Sequence, residues 1–172
     1  MIIFYTILAI TVIQRIVELL IASNNEQWMK ERSGIEVGNE HYKYFILLHI
    51  SFFLLFILEV QYNYVTQEKT LFNIYFFIFF VIAQVGRVWC IISLGRFWNT
   101  KVIVIPNVIL IKKGPYRWLK HPNYVIVFIE FLSLPLVFGA YFVAIVFPLL
   151  HLLLLTIRIP IEEKALGRKM DI

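Results

Sequence analysis

Five stretches of apolar sequence, each roughly twenty residues long, set the terms for any fold this chain adopts. They run at about residues 2–22, 44–60, 71–94, 123–138 and 141–160, and ~30 Å of hydrocarbon demands about that length of an α-helix. Hydrophobic residues make up 60% of the 172 and mean hydropathy is +0.80, more than one soluble core of this size absorbs. The chain therefore reads as an all-α integral membrane protein of about five transmembrane helices. It forms a single membrane domain over residues 1–172, without repeats. The first span has no basic residue before it and no small-residue cleavage pattern after it, so it is expected to be a retained helix and not a signal peptide.

The net charge of +5 lies between the spans and forms no continuous basic face, which argues for membrane orientation and against a nucleic-acid partner. The N-terminus carries no Lys or Arg; the first loop has Lys30, Arg32 and Lys43, and the second only Lys69. The third has Arg96, Lys101, Lys112, Lys113, Arg117 and Lys120; the turn Phe138-Gly139-Ala140-Tyr141 has none, and the tail holds Lys164, Arg168 and Lys169. Basic short loops stay in the cytoplasm. The pattern thus predicts an odd number of spans, with the N-terminus outside and the C-terminus in the cytoplasm. A bacterial plasma membrane is the expected location. A single cysteine, Cys90, excludes an intrachain disulfide and a zinc site built on a cysteine pair, and no metal is expected.

Ionisable residues inside the spans narrow the reading. Each costs about 2.5 to 3.5 kcal/mol on insertion scales and is rarely there without a partner or a cavity. Arg15 and Glu18 share the first span. Arg87 on the third and Glu130 on the fourth reach a similar depth of roughly 10 Å at ~1.5 Å per residue, so they can pair. Arg158, near the inner end of the fifth span, is expected to join them in one cytoplasm-facing polar pocket. The plainer alternative is a set of ion pairs that only lock helices together. Glu59, at the outer end of the second span, is explained by interfacial solvation, and His151, in mid-span, by an interhelical hydrogen bond.

The segment between spans three and four is unlike an ordinary connector. Lys101 to Ile111 is rich in β-branched residues and bounded by turn formers at Pro106-Asn107 and Lys113-Gly114-Pro115, which suggests a short hairpin at the membrane surface. His121 precedes Pro122 and should flank the start of span four, where free amides and a partial positive charge suit an anion. After span five, Arg158 and Glu162 are four apart, with Pro160 placed to kink the helix between them. Glu162 and Glu163 can accept hydroxyls or an ammonium. Against these functional readings stand a loop-to-helix junction at His121-Pro122 and a solvated helix end beside Lys164.

Gly114-x-Tyr116, then Lys120-His121-Pro122-x-Tyr124, an apolar hairpin, and Arg158 with Glu162-Glu163 together resemble the isoprenylcysteine carboxyl methyltransferase family. The likeness covers about residues 95–166, with Lys120 where the family usually has arginine. It implies S-adenosyl-L-methionine bound by that cytoplasmic segment and the C-terminal helices, and no dinucleotide-type glycine motif contradicts this. By this resemblance Tyr116, His121, Pro122, Tyr124 and Glu163 would bind the cofactor, with Arg158 and Glu162 as catalytic residues. Arg87, Trp98, Asn99 and Glu130 would line the substrate pocket.

Transfer of a methyl group from a sulfonium to an anion consumes two opposite charges, so a desolvated pocket favours it. An acceptor already ionised near neutral pH needs alignment more than a general base. Membrane residence implies a lipophilic acceptor. The short bacterial members resemble enzymes that O-methylate alkylpyrones, whose acidic enol on an alkyl chain meets both requirements, and this acceptor is preferred over the carboxylate of an isoprenylated cysteine. Competing readings are an NADPH-dependent membrane reductase, which has similar C-terminal helices, and a small transporter or scaffold.

Overall fold

A computed structural model describes residues 1–66, 72–106, 108 and 111–167. The elements are α1 (Ile2–Lys30), β1 (Ile35–Val37), α2 (Asn39–Val65), α3 (Ile74–Leu94), β2 (Val102–Val104), α4 (Pro122–Val137) and α5 (Tyr141–Gly167), with 3-10 turns at Gly95–Phe97 and Gly114–Arg117. Helix boundaries follow local chemistry. Asn73 caps α3 by accepting from the amides of Tyr75 and Phe76 at 3.1 and 3.4 Å, the usual role of a short polar side chain at that place. Gly95, at φ 53°, ends the helix in a conformation that costs other residues a steric penalty. Pro122 occupies the first position of α4, where its missing N–H and fixed φ do no harm.

Four helices are long and apolar enough to cross a bilayer, namely α1, α2, α3 and α5. The shorter α4 has 16 residues, about 24 Å at 1.5 Å per residue, and packs between α3 and α5. The core gathers Phe4, Phe52, Phe56, Phe131, Phe138 and Phe147 with Leu134 and Val143. Opposite faces carry Ile13, Leu47, Leu54, Ile82, Val85 and Leu153, all about 60% exposed. Such a surface would aggregate in water; in a bilayer it meets acyl chains. The chain is an all-α integral membrane protein.

At one end of the bundle α4 and α5 turn tightly through Gly139 (φ 68°), with the amides of Phe138 and Ala140 both donating to the Pro135 carbonyl at 3.0 Å. Helix α2 holds this turn. Asn63 donates to the Gly139 carbonyl at 3.2 Å, and Glu59 accepts from the amides of Phe142 and Val143 at 2.8 and 2.9 Å. Solvation at the interface therefore does not account for Glu59. Its carboxylate caps the amino end of α5, where free amides and the helix dipole favour negative charge.

The opposite end of the bundle departs from expectation in two ways. Strand β2 lies within the Lys101 to Ile111 segment, but the strand it pairs with comes from elsewhere in the chain. It runs antiparallel to β1 from the first loop, with Ile35 opposite Val104 and Val37 opposite Val102. The ribbon is braced by Lys101, which meets Glu26 at 2.9 Å and Glu36 at 3.4 Å. Secondly, α5 continues past residue 160, where the fifth span was expected to end, through Pro160 to Gly167, so the paired glutamates sit on the same helix as Arg158. Asn107 of the expected turn, together with Lys69, Arg168 and Lys169 of the charge pattern, lies outside the described residues.

Candidate active site

Three local choices in the sequence bring a polar cluster together at the end of the bundle opposite the Gly139 turn. Pro122 starts α4, leaving His121 as its first flanking residue with φ −128°. Tyr124, one turn into α4, points to α5. The helical spacing of Arg158 and Glu162, four apart on α5, puts both on the face turned to Tyr124. Tyr124 donates from its hydroxyl to Glu162 at 2.5 Å and accepts from Arg158 Nε at 3.3 Å. His121 stacks on the Tyr124 ring, centroids 5.4 Å apart, with Nδ1 3.4 Å from Glu162 and Nε2 3.6 Å from Glu163. Lys120 reaches Glu163 at 3.4 Å, and Pro122 serves as the junction that orients His121. The structure thus groups Arg158, Glu162, Tyr124, His121 and Glu163.

Glu162, the nearer carboxylate, raises the pKa of the His121 imidazole above the ordinary 6.5; partial burial opposes this and Glu163 adds to it. A group whose folded-state pKa is raised contributes stability that is full below its unfolded value and fades as pH rises through the folded one. The detergent-solubilised protein is therefore expected to lose stability as pH rises from about 6.5 through the raised pKa of His121, and His121→Gln is expected to flatten that part of the profile. Denaturant unfolding across the range checks this, and an unchanged slope in the variant would exclude His121 as its source. Tyr116, on the 3-10 turn before His121, meets the Cys90 thiol, and burial raises its phenol pKa further, so it stays neutral.

Arg158 is buried at 5% exposure. Its Nη2 donates to the Thr100 carbonyl at 2.9 Å, while Nη1 has no hydrogen-bond partner among the described residues. The guanidinium lies 5.5 Å from the Phe45 ring centroid, and Tyr42 contacts the Thr100 hydroxyl at 3.0 Å. Arg158 therefore does not join Arg87 and Glu130. It is spent on Tyr124 and Thr100, because its longer reach on α5 runs toward the surface segment. Tyr42, Phe45 and Thr100 had no sequence signal: their contributions are a ring face, a hydroxyl and a backbone carbonyl, which many residues offer.

Deeper in the bundle, Glu130 of α4 is clamped from two sides. Arg87 donates to it from Nε at 3.0 Å and from Nη2, Arg15 at 2.7 Å and Gln84 at 2.7 Å. Glu18 balances both arginines, at 2.5 Å from Arg15 and 3.5 Å from Arg87. Gln14 bridges Glu18 and Gln84 at 3.0 and 2.7 Å. Gln14 and Gln84 went unnoticed in the sequence, although each sits three or four residues from a charge on an apolar helix. The other two expected pocket residues bond to α1. Trp98 is buried with its carbonyl accepting from Asn25 at 2.8 Å, and Asn99 donates to the Ala22 carbonyl at 2.9 Å. His151 makes the expected interhelical contact, its Nε2 lying 3.2 Å from the Tyr124 carbonyl. No cluster of His, Cys, Asp and Glu suited to a metal ion occurs among the described residues.

Comparison with known proteins gives this arrangement a family. Over 165 residues the chain is 43% identical to the uncharacterized protein YpbQ of Bacillus subtilis (strain 168), covering 95% of this chain and 96% of that protein. An uncharacterized protein of Haemophilus influenzae (strain ATCC 51907 / DSM 11121 / KW20 / Rd) is 27% identical over 165 residues, 95% of this chain and 92% of its own length. No solved structure matches the chain significantly. The isoprenylcysteine carboxyl methyltransferase family model matches residues 75–168, more than half of the chain and all of α4 and α5, so this protein belongs to that family and is a membrane methyltransferase of its type.

Proposed function

We propose that the protein transfers the methyl group of S-adenosyl-L-methionine to an acidic oxygen on a lipophilic acceptor, an alkylpyrone enol in preference to the carboxylate of an isoprenylated cysteine. The observation that carries this is the convergence of His121, Tyr124, Glu162 and Glu163 around the start of α4. There the buried Oδ1 of Asn123 has no hydrogen-bond partner among the described residues, and the buried Nε2 of His121 has only the 3.6 Å ion pair to Glu163. A buried polar atom left without a partner costs about 1 to 3 kcal/mol, and a ligand with both charges and hydroxyls repays it. The residues fit such a zwitterion. A protonated His121 and the free amides of α4 suit a carboxylate, and Glu163, half exposed, suits the ammonium.

When bound, the sulfonium supplies the methyl carbon, and its sulfur keeps the electrons of the broken C–S bond as the acceptor oxygen forms the new C–O bond. This chain's residues align the partners. Arg158, with Nη1 uncommitted, orients the acceptor anion, and Tyr124 holds both Arg158 and Glu162 in place. Trp98 and Asn99 tie the surface segment to α1, and Arg87 with Glu130 fixes the floor beneath it, so these four shape the acceptor cavity from a distance. The basic inner loops favour a cytoplasmic site in a bacterial plasma membrane.

Calorimetric titration of the detergent-purified protein tests the reading. Saturable binding of S-adenosyl-L-methionine is expected, weakened about tenfold or more by His121→Ala and by Glu163→Ala, the range for a lost hydrogen bond to a charged group. Binding of NADPH alone would overturn it in favour of a reductase, and binding of neither by folded protein would overturn the enzyme reading. Labelled methyl transfer to an alkylpyrone and to a prenylated cysteine then separates the two acceptors.

A further inference from the structure

The segment that ends at His121 carries a second feature that methyl transfer does not use. Gly114, at φ 58°, lies so close to α3 that a side chain there would collide with Ser93 and touch the Trp89 indole. Pro115 is buried behind it, and the amides of Trp118 and Leu119 close the turn on the Pro115 carbonyl at 3.2 and 3.0 Å. The turn is therefore fixed on α3, yet what it displays is apolar and open. Trp118 is 69% exposed and Leu119 50%. Trp118 meets Trp89 edge to face at 5.9 Å. Trp89 lies five residues before the end of α3, so Trp118 sits about 7 Å back along the helix from its inner terminus, beside the bilayer and not out in the aqueous phase.

Cations surround this wedge. Lys112, Lys113 and Arg117 are exposed and make no ion pair among the described residues, and Lys120 adds a fourth charge. Indole rings favour the headgroup level, and each basic side chain near an anionic surface adds to attraction for it. We propose that residues 112–120 form an interfacial anchor that selects anionic phospholipid headgroups, with Trp118 and Leu119 buried among the upper acyl carbons and Lys112, Lys113 and Arg117 on the phosphates. The acyl chains complement the apolar wedge and the headgroups its charges, a match that an acidic soluble protein would give only for the charges. This inference is independent of the proposed reaction.

The test uses the full chain in lipid nanodiscs that hold no other protein. Brominated phosphatidylglycerol, or brominated phosphatidylcholine, is present as the same minor fraction of the bilayer, and the quenching of Trp118 is taken as the difference between wild type and Trp118→Phe. The anchor predicts quenching about threefold stronger or more by the anionic lipid, declining near 1 M salt, where the Debye length is about 3 Å. The variant Lys112→Gln/Lys113→Gln/Arg117→Gln, with helicity checked by circular dichroism, should quench equally with both lipids. Equal quenching of the wild type by the two lipids, or a preference that survives in the triple variant, would overturn the proposal. So would the absence of any Trp118 quenching, which would leave the surface to a soluble partner.

Discussion

Glu130→Gln is expected to lower the unfolding free energy by about 3 to 5 kcal/mol, the range for removing one member of a buried ion pair. The size follows from what is left behind. Both oxygens of Glu130 are engaged by Arg15, Arg87 and Gln84, and the side chains of Arg87 and Glu130 are only 4% and 6% exposed. Glutamine keeps the shape but leaves two arginines against one carboxylate, Glu18, inside a bilayer where an uncompensated charge is costly. Three helices lose a shared tie at once, since Arg15 is on α1, Arg87 on α3 and Glu130 on α4. Unfolding of the purified variant in mixed detergent and dodecyl sulfate measures the loss. A change below about 1 kcal/mol, the value of an exposed pair, would mean that water or lipid phosphate already solvates the arginines.

That tie was partly legible in the sequence. Charges at matched depth on apolar spans have few ways to be satisfied, so Arg87 and Glu130 announced each other, and the loop-to-helix junction at His121-Pro122 followed from proline's geometry. The spans themselves were legible for the same reason: lipid imposes length and apolarity. Helix ends were not. Helix α1 runs on to Lys30 and α5 to Gly167, because beyond the hydrocarbon a helix can continue with polar residues that give no hydropathy signal.

Contacts between distant segments were the least visible. Strands β1 and β2 have three residues each, too few for alternation to register, and their partnership depends on helices α1 and α3 ending side by side. Glu59 looked like a solvated carboxylate because its partners are the backbone amides of Phe142 and Val143, which no sequence letter records. The same reason misplaced Arg158, whose firmest bond is to the carbonyl of Thr100. Within the candidate site, the residue types with distinctive chemistry could be named from the motif, whereas the ring of Phe45 and the hydroxyl of Tyr42 enter from α2, outside the matched residues 75–168.

Arg158→Lys is expected to reduce kcat/KM for methyl transfer by about 100-fold, the loss that misplacing a reactant by about 1 Å brings when alignment supplies the catalysis. Lysine keeps the charge but not the planar fork that permits several directed bonds from one group. In the native site that fork spends Nε on Tyr124 at 3.3 Å and Nη2 on Thr100 at 2.9 Å, with Phe45 beside its plane, so the remaining Nη1 is held in a fixed direction. A single ammonium nitrogen has three donors but one position, so it cannot reach Tyr124, the Thr100 carbonyl and an acceptor anion from the separate places that Nε, Nη2 and Nη1 occupy. The effect should fall on transfer alone, with S-adenosyl-L-methionine affinity within about threefold of wild type, because a 1.4 kcal/mol change, tenfold in affinity, needs a lost contact to the ligand itself. Rates with saturating methyl donor and varied acceptor, measured beside calorimetric donor binding, separate the two. A variant with near-native kcat/KM would remove Arg158 from the reaction, and a parallel loss of donor binding would move it to the cofactor's side of the site.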